Sequence, residues 1–112
     1  MSENMALQTE SSVISAMTDR IVRAFKPVRV ILFGSRARGD DDPHSDVDLL
    51  VVLADVTDRR AAAIAIRRAL ADFPVFKDIV VTTTEELERR GDLVGTVLRP
   101  ALREGKVLYE RD

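Results

Sequence analysis

Two short apolar runs, Val28–Phe33 (VRVILF) and Val47–Leu53 (VDLLVVL), constrain the fold of this chain more than anything else in it. Both are β-branched and aliphatic, of strand length, and bounded by turn-forming residues. Gly34 and Ser35 close the first, and the stretch Gly39–Ser45, with three consecutive aspartates and Pro43, precedes the second. They read as buried strands, so the rest of the chain must cover them.

The cover is visible in the periodicity. From Ser12 onward, Val13, Ile14, Met17, Ile21, Val22 and Phe25 form the stripe of an amphipathic helix, with Ser11 or Ser12 as its cap and Pro27 as its stop. Asp55, Thr57 and Asp58 offer caps for a second helix, Arg59–Phe73, whose Ala62, Ile66, Leu70 and Phe73 face inward and which Pro74 ends. Val75–Thr83 (VFKDIVVTT) alternates and predicts a third strand. Thr83 or Thr84 then caps a short helix, Glu85–Arg90, whose acidic start and basic end suit the helix dipole, and Gly91 closes it. A last helix is expected from Asp92, with Val97, Leu98, Ala101 and Leu102 on its apolar side and Pro100 marking a kink or a late helix start. Lys106–Tyr109 is of a size for a short edge strand.

This order predicts a single small α/β (α+β) domain, a mixed β-sheet packed by helices, over residues 11–112. The first ten residues are polar and aperiodic and are expected to be frayed. With 112 residues, of which 46% are hydrophobic, there is material for one core and none for a second. The 17 Lys and Arg against 19 Asp and Glu give a net charge of -2, too balanced to coat nucleic acid through bulk electrostatics. Direct nucleic-acid binding is therefore not expected. The chain has no cysteine, which excludes disulfide frameworks, thiolate nucleophiles and zinc fingers and suits a reducing cytoplasm. It shows no apolar run of membrane-spanning length and no export signal, so a cytoplasmic protein without membrane contact is expected.

The chemistry sits between the two apolar runs. A glycine and a serine at a strand end let backbone amides approach an anion, and the hydroxyl adds a donor, so Gly34 and Ser35 form a candidate phosphate cradle. Arg36 and Arg38 follow within Gly34-Ser35-Arg36-Ala37-Arg38-Gly39, one suited to face the cradle and the other its rim. Ser45 leads into Asp46-Val47-Asp48, where the period of two puts both carboxylates on one face of the strand. Like charges that close in an apolar strand repel, and a divalent cation relieves them; oxygen ligands favour magnesium or manganese. Asp78, inside FKDIVV, interrupts an apolar strand and offers a third carboxylate. Such a triad facing a phosphate cradle suits transfer from a nucleoside triphosphate.

GSRARG followed by an acidic loop and SDVDLLVV resembles the signature of the DNA polymerase β-type nucleotidyltransferases, and most closely that of the minimal nucleotidyltransferases. The helix before the first strand, DIVVTTTEEL and REGKVLYE are similar to that group as well. The resemblance implies that Gly34 and Ser35, with Arg36, Arg38 and Ser45 beside them, bind the nucleotide. It also implies that Asp46 and Asp48 hold two Mg2+ ions, with Mn2+ as an alternative, and that Asp78 is the third carboxylate and the proton acceptor for the attacking hydroxyl. The expected activity is transfer of AMP from ATP to a protein hydroxyl. The expected acceptor is a tyrosine of a HEPN-type ribonuclease toxin, held in a hetero-oligomer, for which the chain acts as a type VII-like antitoxin. The alternative is a non-catalytic antitoxin that neutralises its partner by binding alone.

Simpler roles are assigned elsewhere. Asp40, Asp41 and Asp42 are read as solvated loop charges and His44 as an exposed loop histidine. Arg59, Arg60, Arg67 and Arg68 are read as a solvated helix face, and Tyr109 as a packing residue.

Overall fold

The computed structural model of the protein describes residues 5–34, 46–90 and 105–111. The described elements are α1 (Met5–Phe25), β1 (Arg29–Phe33), β2 (Val47–Leu53), α2 (Arg59–Ala69), β3 (Lys77–Thr83), α3 (Thr84–Arg90) and β4 (Lys106–Glu110). The expected helix from Asp92 lies outside the described residues, as do Ser35, Arg36, Arg38, His44 and Ser45.

The four strands form one mixed sheet in the order β3-β2-β1-β4. The two apolar runs of the sequence are its two inner strands, which is where strands without polar alternation belong. β1 and β2 pair antiparallel, with Phe33 opposite Asp48. β2 and β3 run parallel, with Asp48 opposite Asp78, and α2 provides the crossover that parallel strands require. β4 joins the free edge of β1 antiparallel, and its register shifts between Val30 and Ile31. That bulge leaves Leu108 without a cross-strand partner and turns both Leu108 and Tyr109 toward the main core, so Tyr109 packs as expected.

Strand alternation divides the apolar residues between two faces. Val30, Leu32, Val47, Leu49, Val51, Ile79 and Val81 share one core with Met17 and Ile21 of α1 and with Ile66 and Leu70. Ile31, Leu50 and Val52 form a smaller cluster with Phe33, Val80 and Leu87 of α3. Asp48, two residues from Leu50, and Asp78, two from Val80, belong to this second face. Ile66 of α2 and Leu70, its C-cap, are fully buried, as the inward stripe predicts, and Ala62 is half-buried. The helix ends at Ala69, short of the expected Phe73, because a tighter turn follows in which the Phe73 amide donates to the Leu70 carbonyl at 3.1 Å, leaving Phe73 half-buried beyond the helix. Truncating Ile66 to Ala removes its burial and leaves a cavity, at a cost of about 2–5 kcal/mol.

Element ends follow local chemistry. Asp58 caps α2 by accepting a hydrogen bond from the Ala61 amide at 3.0 Å. Thr83 caps α3 by accepting from the Glu86 amide at 3.1 Å. α1 begins at Met5, so Ser11 and Ser12 lie inside it rather than capping it. The segment before Ser12 lacks an apolar stripe, yet its Ala, Leu, Gln and Glu are good helix formers and carry the backbone on upstream. Lys26, with φ 52°, takes the left-handed position after the helix that glycine usually fills, and Pro27 follows. Among the described residues, no helix is long and apolar enough to cross a membrane.

Candidate active site

The carboxylates meet at one end of the sheet, where β1 leaves it and β2 and β3 enter. Asp46 is exposed just before β2, and Asp48, the second residue of β2, is half-buried while its neighbours in the strand are buried. The parallel register sets Asp78 directly beside Asp48, and paired residues of adjacent strands point to the same face. The Asp48 carboxyl is pushed above the usual aspartate range, first by burial and then by the negative charges of Asp78 and Asp46. A carboxylate whose two acidic neighbours both raise its pKa is a place that attracts a cation.

Gly34 completes this corner from the β1 side. Its φ is +80°, and a Cβ placed on it would stand 2.2 Å from Asp48 Oδ2 and 3.1 Å from Asp48 Cγ. The Asp48 carboxylate therefore lies in space that any other residue at position 34 would fill. This ties the first residue of the candidate phosphate cradle to the second of the paired aspartates, a link the sequence spacing does not reveal.

Asp78 is exposed and engaged: Arg67 Nη2 donates a hydrogen bond to its Oδ1 at 3.1 Å. As the side chains stand, no group of three acidic or histidine residues among the described ones encloses a metal position. The donor set nevertheless suits a divalent cation. It consists of hard carboxylate oxygens, those of Asp48 made more basic by burial and then by its acidic neighbours, and a guanidinium already stands beside Asp78.

Two further features were missed by the sequence reading. Arg67 lies on a solvated face, as expected, but from there it also reaches Asp78; the available signal was the short crossover, which returns the last turn of α2 to the start of β3. Phe76, placed inside the third strand, precedes it and is 77% exposed. Its carbonyl accepts from the Val47 amide at 2.9 Å, which fixes it beside the start of β2. An exposed aromatic ring thus stands two residues from Asp78, at the carboxylate end of the sheet. The groove between α1 and β4, about 670 Å³ and lined by Ile14, Thr18, Leu32 and Tyr109 among others, lies on the opposite face and is separate from the carboxylates.

Against known proteins, residues 14–107 match the family model described as nucleotidyltransferase domain. The chain belongs to this family. Its fold resembles that of a Sulfolobus solfataricus protein solved at 1.40 Å, with 20% identity, a TM-score of 0.59, and coverage of 89% of this chain and 79% of the other. It is also similar to a chain of the MntA–HpeT toxin–antitoxin carrying a tyrosine-to-alanine substitution, with 28% identity, a TM-score of 0.58, and coverage of 92% of this chain and 73% of the other. A chain of a toxin–antitoxin crystallised with AMP-PNP gives 26% identity, a TM-score of 0.57, and coverage of 88% and 74%. No curated protein sequence matches the chain at a significant level. Family membership places the chemistry of this nucleotidyltransferase domain in nucleotidyl transfer, and the paired aspartates at the start of β2 lie within the matched segment.

Proposed function

We propose that this nucleotidyltransferase transfers AMP from ATP to a protein hydroxyl, the acceptor being a tyrosine of a HEPN-type toxin that it neutralises as an antitoxin in a cytoplasmic hetero-oligomer. The observation that carries the reading is the corner made by Gly34, Asp48 and Asp78. A carboxylate with raised pKa lies over a glycine at the mouth of a candidate phosphate loop, beside another carboxylate in register. The 28% identical toxin–antitoxin chain and the one crystallised with AMP-PNP support the partner and the donor.

In this reading Gly34 and Ser35 hold the triphosphate through backbone amides and the serine hydroxyl, and Arg36, Arg38 and Ser45 contact the nucleotide. Asp46, Asp48 and Asp78 hold Mg2+, or Mn2+ in its place. Bound there, the metal supplies charge neutralisation at the triphosphate and acidifies the acceptor hydroxyl. Asp78 takes the hydroxyl proton as the tyrosine oxygen bonds to the α-phosphorus. The bond from that phosphorus to the bridging oxygen breaks, and pyrophosphate leaves with the electron pair. Phe76 gives the acceptor protein an apolar foothold beside the reacting groups, since an exposed aromatic on a small domain is more at home in an interface than in water.

The other reading, neutralisation by binding alone, draws on the engagement of Asp78 by Arg67 instead of a converged triad. Labelled ATP separates the two. Transfer predicts that label from the α-phosphate, and not from the γ-phosphate, appears on the partner, and that Asp46→Asn/Asp48→Asn loses both the label and the neutralisation. A double variant that still neutralises without labelling favours binding alone.

A further inference from the structure

Arg67 belongs to the helix that packs on one face of the sheet, yet the carboxylate it binds belongs to the other. Ile66 and Leu70 anchor α2 in the main core, whereas Asp48 and Asp78 alternate with the residues of the second face. Among the described residues β3 is the edge strand on that side, so the Arg67 side chain reaches its partner past that edge with no further described strand in the way. The contact is a single one, Nη2 to Oδ1 at 3.1 Å, not the two-pronged pairing of which a guanidinium is capable. Both side chains are 54% exposed. The nearest other cation along the chain, Lys77, is turned away, its amine donating to the carbonyls of Phe73 at 3.1 Å and Val75 at 2.9 Å.

We propose that Arg67 is the resident counter-cation of the third carboxylate: it holds Asp78 at the sheet edge and yields it to the divalent metal. The inference rests on the reading of Asp46, Asp48 and Asp78 as metal ligands. Without a cation, three carboxylates at one end of the sheet repel one another, and the charges of Asp78 and Asp46 both act on Asp48. Arg67 relieves that repulsion through Asp78. A partly solvated, single-contact ion pair is weak and readily exchanged, which is the property such a stand-in needs; a buried two-pronged pair would hold Asp78 out of reach of the metal. Arg67 is accordingly a positioning residue. It sets the threshold of metal concentration at which the site assembles, because metal must compete with it for Asp78.

The competition has a defined sign. Removing the guanidinium frees Asp78 and takes a positive charge away from the neighbourhood of the metal, and both changes tighten metal binding. The test is Mn2+ binding to the full chain, read from the electron paramagnetic resonance signal of free Mn2+. Arg67→Gln is expected to bind Mn2+ about tenfold more tightly than the parent, and Arg67→Lys, which keeps the charge, to stay within about threefold of it. In an Asp78→Asn background, Arg67→Gln is expected to give a clearly smaller gain, because the competition has lost its object and only the loss of the positive charge remains. Unchanged or weaker binding by Arg67→Gln overturns the proposal, as does an equal gain in the Asp78→Asn background. If the parent binds Mn2+ and Asp46→Asn/Asp48→Asn does not, such a failure belongs to Arg67 alone. If neither binds Mn2+, the metal reading falls and the proposal with it. Arg67 is exposed, so the variants are expected to fold, and melting in the absence of metal checks this.

Discussion

Gly34→Ala tests the link between the candidate phosphate cradle and the aspartate pair. The introduced methyl would meet two costs. The backbone at position 34 has φ +80°, where a residue with a Cβ loses about 1–2 kcal/mol. The methyl would also stand 2.2 Å from Asp48 Oδ2, against an ordinary carbon–oxygen contact of about 3.3 Å. Asp48 is half-buried and can turn, so this overlap is relieved by rotating the carboxylate off its preferred position, at about 0.5–1.5 kcal/mol. The sum is roughly 1.5–3.5 kcal/mol, or about 10 °C in Tm for a domain of this size. In an Asp48→Ala background the nearest remaining side-chain atom of residue 48 is Cβ at 3.4 Å, an ordinary contact. The cost there falls to the backbone contribution of about 1–2 kcal/mol. Urea denaturation of the parent, the two single variants and the double variant measures the coupling. The reasoning predicts a coupling of about 0.5–1.5 kcal/mol, with the double variant more stable than the sum of its parts. Costs that add to within about 0.3 kcal/mol would refute the contact between Gly34 and Asp48.

Other predictions follow from the charges and exposures at hand. Because the folded-state pKa of Asp48 is raised, the folded protein holds that proton more tightly than the unfolded chain. Its ionisation therefore costs stability as pH rises from the ordinary carboxylate range through the raised value. Asp48→Asn is expected to be more stable than the parent at neutral pH without metal, by at most about 1 kcal/mol after solvent screening. The difference should vanish in acid, and melting curves across pH check it; a parent that is the more stable at neutral pH would contradict the assignment. Asp72 has the opposite sign. The hydrogen bond from Arg20 is the main cause that holds its carboxyl below the usual range, so its contribution is present above the ordinary carboxylate pKa and is lost as pH falls through the lowered one. Asp72→Asn should accordingly be less stable than the parent at neutral pH and equal to it in strong acid. Arg20 also donates to the Ala69 carbonyl at 3.0 Å and lies 4.7 Å from the centre of the Phe73 ring, so this clasp joins α1 to the end of α2. Phe76→Ala, at a position that is 77% exposed, should leave stability within about 0.5 kcal/mol of the parent while lowering transfer to a protein acceptor at sub-saturating concentration. Equal rates at all acceptor concentrations would remove Phe76 from the interface.

What could be read from residues alone was what repeats along the chain. The two apolar runs became the inner strands, the stripe of α2 buried Ile66 and Leu70, and Asp58 capped that helix, because period, apolarity and capping are local properties. KVLY became the edge strand β4, extended by Glu110, whose carboxylate pairs across the sheet with Arg29 at 3.2 Å. The start of α1 was set too late because helix propensity extended the backbone past the end of the apolar stripe. Of the site, the closeness of Asp46 to Asp48 was legible from their spacing, and the charge of Asp46 is among the causes that raise the Asp48 carboxyl. The contact of Asp48 with Gly34, the alignment of Asp78 with Asp48 and the reach of Arg67 depend on strand register and on how the α2 crossover returns the chain. No local pattern encodes these. Phe76 was assigned to the strand because its apolarity fitted the alternation, whereas pairing begins one residue later and leaves the ring in solvent.

The most direct measurement is intact mass spectrometry of the partner protein after incubation with this nucleotidyltransferase, Mg2+ and ATP. The account predicts a mass increase equal to one or more AMP groups, mapping to a tyrosine and absent when Asp46→Asn/Asp48→Asn replaces the parent. A partner that stays unmodified while bound and neutralised would contradict it.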